Sequence, residues 1–233
     1  MWYETLPAGR SWAALWSGYV LCSQCSAIRG TEGNCEVCGV SLPRSEFIAI
    51  RSDDGRKVTV PSVVLAGAEG RYEDWIYLQM MEREWRRPRL EDDRPPASSH
   101  PPEVSSRAAI VVLFWSYFES RIERLLRSGL AAVPPPIAED LLRRYSSIGS
   151  RLDRLYRLTF EATYADDLRE LGFADLWLHL ARVHERRNAF AHGDPRAIDD
   201  PLVLSVVEML RTEHEAWIAV FNKRVAHRRK PGS

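Results

Sequence analysis

Residues 105–126 read SSRAAIVVLFWSYFESRIERLL, and their spacing predicts a buried amphipathic helix. Val111, Phe114, Phe118, Ile122 and Leu125 recur at intervals of three and four, so they fall on one face at 3.6 residues per turn. Ser105 or Ser106 can cap this helix through a side-chain oxygen. Pro134, Pro135 and Pro136 end the segment and precede a second helix carrying Leu141, Leu142, Tyr145, Ile148, Leu152 and Leu155. A third is expected from about Ala174 to Ala191. A fourth is expected from about Pro201 to His227, with Pro201 at a first helical position, where a missing N–H is harmless. Four amphipathic helices with short connections predict an antiparallel bundle over residues 105–233.

Upstream the pattern changes. Residues 91–104 are rich in Pro, Ser and charge and read as a linker at a domain boundary. Before them, residues 46–90 open with EFIAIRSDDGRKVTV, two β-prone runs flanking an Asp-Gly turn, which predicts a hairpin. The stretch RYEDWIYLQMMEREW then reads as a helix that stops at Pro88. Residues 1–45 hold all four cysteines among turn residues. The expected fold is therefore mainly α, a C-terminal helical bundle preceded by a β-hairpin and a small zinc-ribbon-like module.

Composition narrows the class. With 233 residues, 45% of them hydrophobic, the chain can build a sizeable core, and a net charge of zero argues against a polybasic, nucleic-acid-coated protein. Lysine occurs only at positions 57, 223 and 230, so the positive charge is almost all arginine, the better bidentate phosphate ligand. Codon bias is the plainer origin of that skew. No run approaches the roughly 18 apolar residues of a membrane span. SWAALWSGYVL before Cys22 lacks a basic start and a small-residue cleavage site, so a signal peptide is not expected. Cytoplasmic residence without a membrane partner follows as the expectation.

Cys22 and Cys25 are separated by two residues, as are Cys35 and Cys38. Such spacing lets both sulfurs of one tight turn face a single ion, and two turns supply the four-thiolate shell that structural zinc prefers. Two disulfides or four unligated thiols are the alternatives, and disulfides need an oxidising compartment. Gly39 relaxes the backbone after the second pair, whereas Ser26 holds the equivalent place after the first. With four cysteines on one zinc no coordination position is left for water, so the ion is expected to be structural and no catalytic metal is expected.

The third helix closes on Arg187-Asn188-Ala189-Phe190-Ala191-His192-Gly193. On a helical wheel Leu176, Trp177, Leu180 and Val183 form the core stripe. Arg187 falls at the centre of that stripe, while Arg182 and Arg186 point away from it. An inward guanidinium is costly unless it meets an anion. Glu119 on the first bundle helix borders the apolar face and is one such anion; a partner subunit or a phosphate is another. A Glu119–Arg187 pair could be purely structural, or it could fix the fork of the arginine for a ligand. His192 lies at the last turn before Gly193, a natural C-terminal stop. It can cap the final carbonyls, or act near neutral pH as a proton donor or a cation facing phosphate.

This arginine, the polar residue beside it and the histidine a few positions later resemble the signature of the HEPN superfamily, and the resemblance covers about residues 105–228. It implies an α-helical bundle and, in many members, a metal-independent endoribonuclease that works as a dimer with two motifs in one cleft. It also assigns Glu119 as the acidic residue often found in the first long helix. The implied chemistry is attack of the RNA's own 2′-hydroxyl on the adjacent phosphorus, giving a 2′,3′-cyclic phosphate and a 5′-hydroxyl. Arg187 would neutralise phosphoryl charge, His192 would move a proton, and Asn188 would bind phosphate or position the histidine. The expected partners are an RNA substrate, a second copy of the chain, and an antitoxin or other regulatory protein, as in the toxin–antitoxin and phage-defence systems that use the family. The alternative is a catalytically silent helical dimer whose zinc ribbon binds protein or nucleic acid; nucleotide sensing within a larger complex is a third reading. His184, His214, Trp75 and Trp85 read as packing residues, and Asp199-Asp200 as solvated charge or a cap.

Overall fold

A computed structural model of the protein describes residues 12, 15, 19–22, 24–30, 33–40, 47–51, 57–61, 68–87 and 105–226. The expected linker at 91–104 and the basic tail after Ala226 lie outside the described residues. Strands β1 (Tyr19–Leu21) and β2 (Ile28–Gly30) pair antiparallel, as do β3 (Phe47–Arg51) and β4 (Lys57–Pro61). The second pair, with Phe47 opposite Pro61 and Arg51 opposite Lys57, is the hairpin expected around the Asp-Gly turn. Helix α1 is Ala68–Arg86 and α2 is Ala108–Gly129, followed by α3, Pro135–Arg144. Residues 148–160 make one helical run, α4, in which Arg151–Leu155 is a π turn between α-helical ends. Helices α5 (Tyr164–Glu170), α6 (Ala174–Ala191) and α7 (Asp200–Arg224) complete the described chain.

Helix α2 lies at the centre. All five residues of its expected stripe are buried, and so are Ile110, Trp115, Tyr117 and Leu126, so it is covered on more than one side. Helix α1 runs antiparallel to it: Arg107 near the start of α2 donates to the carbonyl of Arg87 at 3.2 Å, while Arg124 near its end meets Glu73 at 3.1 Å. Helix α7 runs alongside α2 in the same direction. The amide of Ser105 donates to Ile198 O at 3.1 Å before both helices begin, and Arg121 meets Glu213 at 2.6 Å two-thirds of the way along α2. Helix α6 leads into α7 through the short connection at 192–199. Leu78 and Met81 of α1 belong to the same core as α2, α6 and α7, so the helical body includes a helix upstream of the expected linker.

Several local expectations change. The second bundle helix is not continuous from Leu141 to Leu155: it breaks after Arg144, and Ser147 restarts it by accepting the amide of Ser150 at 3.3 Å. Ser105 does not cap α2 itself; its hydroxyl accepts the amide of Arg107, the N-cap residue, at 3.1 Å, from two residues before it. Helix α5 was not expected, and its Thr163–Asp166 capping box explains how seven residues hold a helix. Arg186, read only as pointing away from the apolar stripe, reaches back to Asp199 at 2.9 Å and fastens the α6–α7 turn. Asp199 also caps α7, accepting the amide of Leu202 at 2.9 Å. Among the described residues no helix is long and apolar enough to cross a membrane.

Candidate functional site

The four cysteines come together as their spacing demands. Their sulfurs lie within 4.8 Å of one another, with 3.6 Å between Cys22 and Cys38 and between Cys25 and Cys35, and none is in a disulfide. Four thiolates about 2.3 Å from one tetrahedral ion would stand about 3.8 Å apart, so the set fits a single metal ion. The two turns are built alike. The amide of Cys22 donates to Ala27 O and that of Ser26 to Cys22 O; the amide of Cys35 donates to Val40 O and that of Gly39 to Cys35 O, all between 2.7 and 2.8 Å. Gly39 takes a φ of 74° and Ser26 a φ of 59°, so the serine accepts the left-handed backbone that glycine occupies at no steric cost. Arg29 ties the turns together, donating to the carbonyls of Gly30, Gly33 and Val40. The module docks on the end of α7. The Asn222 side chain accepts the amide of Ile28 at 2.7 Å and donates to its carbonyl at 2.6 Å, while Ile28 packs on Trp217 and Ile218.

The end of α6 is the second site. Leu176, Leu180 and Val183 are buried along the stripe read from sequence, and Arg187 continues it one turn further, half-buried. The expected Glu119–Arg187 ion pair is not formed. Glu119 accepts the indole N–H of Trp115 at 2.7 Å instead, and Arg187 Nη1 donates to Asn188 Oδ1 at 3.0 Å. Asn188 Nδ2 in turn lies 2.9 Å from His184 Nε2, and the His184 ring stacks on Trp115 at 4.9 Å and 17°. Because the Asn188 oxygen is taken by a guanidinium N–H, its amide end is the donor to His184 and Nε2 the acceptor. Arg187, Asn188, His184, Trp115 and Glu119 thus form one strip across α6 and α2. His192 stands apart at the helix end, exposed, at the C-cap position. Gly193 (φ 97°) donates to Phe190 O at 3.1 Å and Asp194 to Ala189 O at 3.0 Å, the paired bonds of a Schellman stop.

His184 was read as a packing residue, and the strip gives it a contact that packing alone does not need. The available signal was its place four residues before Asn188, on the same helical face. Beside the strip lies a cavity of about 410 Å³. Trp115, Ile148, Leu152 and Leu180, all buried, line it deep down, while Gly149, Asp153 and Ala181 line it where they are exposed. Trp177 and His184 complete the α6 wall. The π turn at Arg151–Leu155 carries Leu152 and Asp153 into the opposite wall, and such turns recur at functional sites.

A third polar cluster is internal. Arg121, fully buried, meets Glu213 at 2.6 Å and Asp74 at 3.8 Å, and sits between the rings of Tyr117 (4.9 Å) and Trp217 (4.4 Å). Burial pushes the Glu213 carboxyl up to about 7, with Asp74 acting in the same direction and Arg121 against it. This network joins α1, α2 and α7 and was not read from the sequence, because its members lie up to 139 positions apart, between Asp74 and Glu213. Compared with family models, with curated proteins and with solved structures, the chain finds no match.

Proposed function

We propose that the end of α6 is the active centre of a metal-independent endoribonuclease of the HEPN type. The observation that carries this reading is the company Arg187 keeps. Among the described residues Arg121, Arg124, Arg151, Arg186 and Arg224 each meet a carboxylate within 4 Å, and Arg29 and Arg107 are held by backbone carbonyls, whereas Arg187, at the surface end of the α6 stripe, meets the neutral side-chain amide of Asn188. A half-buried guanidinium left without a carboxylate suits an anion that arrives from outside. In this mechanism the RNA 2′-hydroxyl attacks the neighbouring phosphorus and loses its proton. The P–O bond to the 5′-oxygen breaks, and that oxygen takes up a proton. Arg187 stabilises charge on the non-bridging oxygens. His192, exposed where a backbone can reach it, gives or takes one of the two protons. Asn188 holds Arg187 in orientation, a positioning role, and Glu119 acts through Trp115 and His184 rather than on the arginine directly. Two copies of the chain would bring two such ends into one cleft, in a cytoplasmic setting where a second protein restrains the activity.

The test is cleavage of single-stranded RNA by the purified protein with EDTA present. The expected products carry 2′,3′-cyclic phosphate ends, and DNA of the same sequence stays intact because it lacks the 2′-hydroxyl. Arg187→Ala and His192→Ala should each lower the rate at least about 100-fold. A folded protein that cuts no RNA, with no difference between wild type and variants, overturns the reading. One observation favours the alternative of a silent binding module: Asn188 uses both ends of its amide within the chain.

For the cysteine cluster we propose one zinc ion per chain, held only by thiolates and therefore structural. Atomic emission on protein purified without added metal should find one equivalent of zinc. A chelator strong enough to remove it should lower the unfolding temperature of the whole protein, because the module docks on α7. Iron in its place would give a visible absorbance and would overturn the assignment.

A further inference from the structure

The cavity beside the α6 strip is not used by the chemistry above, although it opens one helical turn from it. Trp177, Leu180, Ala181 and His184 of α6 line it, and the next turn carries Arg187 and Asn188. The two are joined by the Asn188–His184 bond of 2.9 Å. One turn is a rise of about 5.4 Å, within the reach of a single ribose. The walls are aromatic and apolar: the Trp115–His184 stack, Trp177, and the buried aliphatic side chains of Leu152 and Leu180. The charged group at the exposed side, Asp153, is acidic and paired with Arg157 at 2.9 Å. An anion is therefore unwelcome inside, while Arg187 just outside meets no carboxylate among the described residues.

We propose that this cavity is a nucleobase site, seating one base of the RNA whose phosphate Arg187 receives. It thus deepens, and rests on, the reading of Arg187 as a phosphate ligand. Flat, uncharged and π-rich, a base matches the indole and imidazole faces, and stacking on aromatic side chains is how proteins commonly hold unpaired bases. The charge pattern fixes the polarity of the nucleotide, base inward past Asp153 and phosphate outward at Arg187. His184 bonds Asn188 through Nε2 and so carries its proton on Nδ1 when neutral, a hydrogen-bond donor on one of the lining residues. The cavity would then set which nucleotide stands beside the cut.

The experiment is calorimetric titration of the full-length protein with the four nucleoside 5′-monophosphates and with ribose 5-phosphate, which has the same phosphate and no base. At least one nucleotide should bind ten-fold or more tightly than ribose 5-phosphate. Ala181→Phe should weaken that nucleotide at least ten-fold while leaving ribose 5-phosphate unchanged, because Ala181 is exposed and its enlargement fills the cavity without entering the core. Circular dichroism and the unfolding temperature check that the variant folds. Four nucleotides binding no better than ribose 5-phosphate, or an Ala181→Phe variant that binds them as the wild type does, would overturn the base site. Failure of the nuclease reading is seen separately. Base-dependent binding by a protein that cuts no RNA upholds the site and removes the nuclease. Cleavage by a protein without such binding keeps the nuclease and removes the site.

Discussion

His179 of α6 lies edge-on to Phe114 at 6.4 Å, with its Nε2 buried and without a hydrogen-bond partner. Burial first, and then the Arg182 charge, lower its pKa to about 4. The folded protein therefore holds this ring neutral where the unfolded chain would protonate it near 6.5. Between those two values the unfolded state binds more protons, so stability rises with pH through the window and is lost as pH falls from about 6.5 toward 4. Going from pH 7 to pH 5 should cost roughly 1–2 kcal/mol through this residue. His179→Phe keeps the ring and removes the proton site, so urea unfolding at the two pH values should differ less in the variant than in the wild type. An equal difference would assign the acid sensitivity elsewhere.

The residues of the two candidate sites were not equally legible. The cysteines were readable because metal geometry needs only local turns, and even the odd place of Ser26 was visible before its φ was. Arg187, Asn188 and His192 were readable as a pattern at a helix end, and Arg187 does continue the core stripe. What surrounds Arg187 was not readable. A helical wheel gives direction around one helix and says nothing of the axial offset between two, so Glu119 could be placed on the right face and yet bond Trp115. The part His184 plays in the strip was not legible, because a lone histidine near an apolar stripe reads first as packing.

At the scale of elements, the long helices were the legible part. Helix α6 runs over the expected residues, and α2 buries its expected stripe, because each has enough turns for a 3.6-residue period to stand out. Helix α5, with two turns, offers too few repeats, and its capping box was the only sequence signal. At the end of α2 two elements approach closely. A Cβ on Gly129 would stand 2.4 Å from Phe160 Cζ and 2.6 Å from Thr159 Cγ2, both on buried residues of α4. Gly129→Ala should therefore destabilise by about 1–3 kcal/mol, seen as a lower unfolding temperature, despite the higher helix propensity of alanine. Gly149, in the first turn of α4, has nothing within 4 Å of the same position. Gly149→Ala should be neutral or gain up to about 1 kcal/mol. Equal effects at the two glycines would mean that α2 and α4 are not held this close.

At the scale of the whole molecule, α1 is more than an appendage to the bundle. Leu78 and Met81 are fully buried, and Asp74 joins Arg121 and Arg124 inside. Removing α1 would take two large buried side chains out of the core, forfeiting about 1.5–3 kcal/mol each, and would deprive Arg121 and Arg124 of Asp74. Against a typical total of about 5–15 kcal/mol, that is enough to unfold the rest. A fragment of residues 105–233 should show no cooperative thermal transition, whereas one of residues 68–233 should keep it. A stable 105–233 fragment would show that α1 is dispensable.

The clasp between Asn222 and Ile28 joins positions 194 apart in the chain, and this separation has a consequence in time. During synthesis at about 5–20 residues per second, some 10–40 s separate the appearance of the cysteine module from that of its docking helix. The cysteines, local in sequence, can gather their ion in that interval, while the surface they rest on does not yet exist. The module is thus made early and anchored late, and the nascent chain carries the four gathered cysteines on a small fold whose apolar underside, Ile28 above all, waits uncovered for α7.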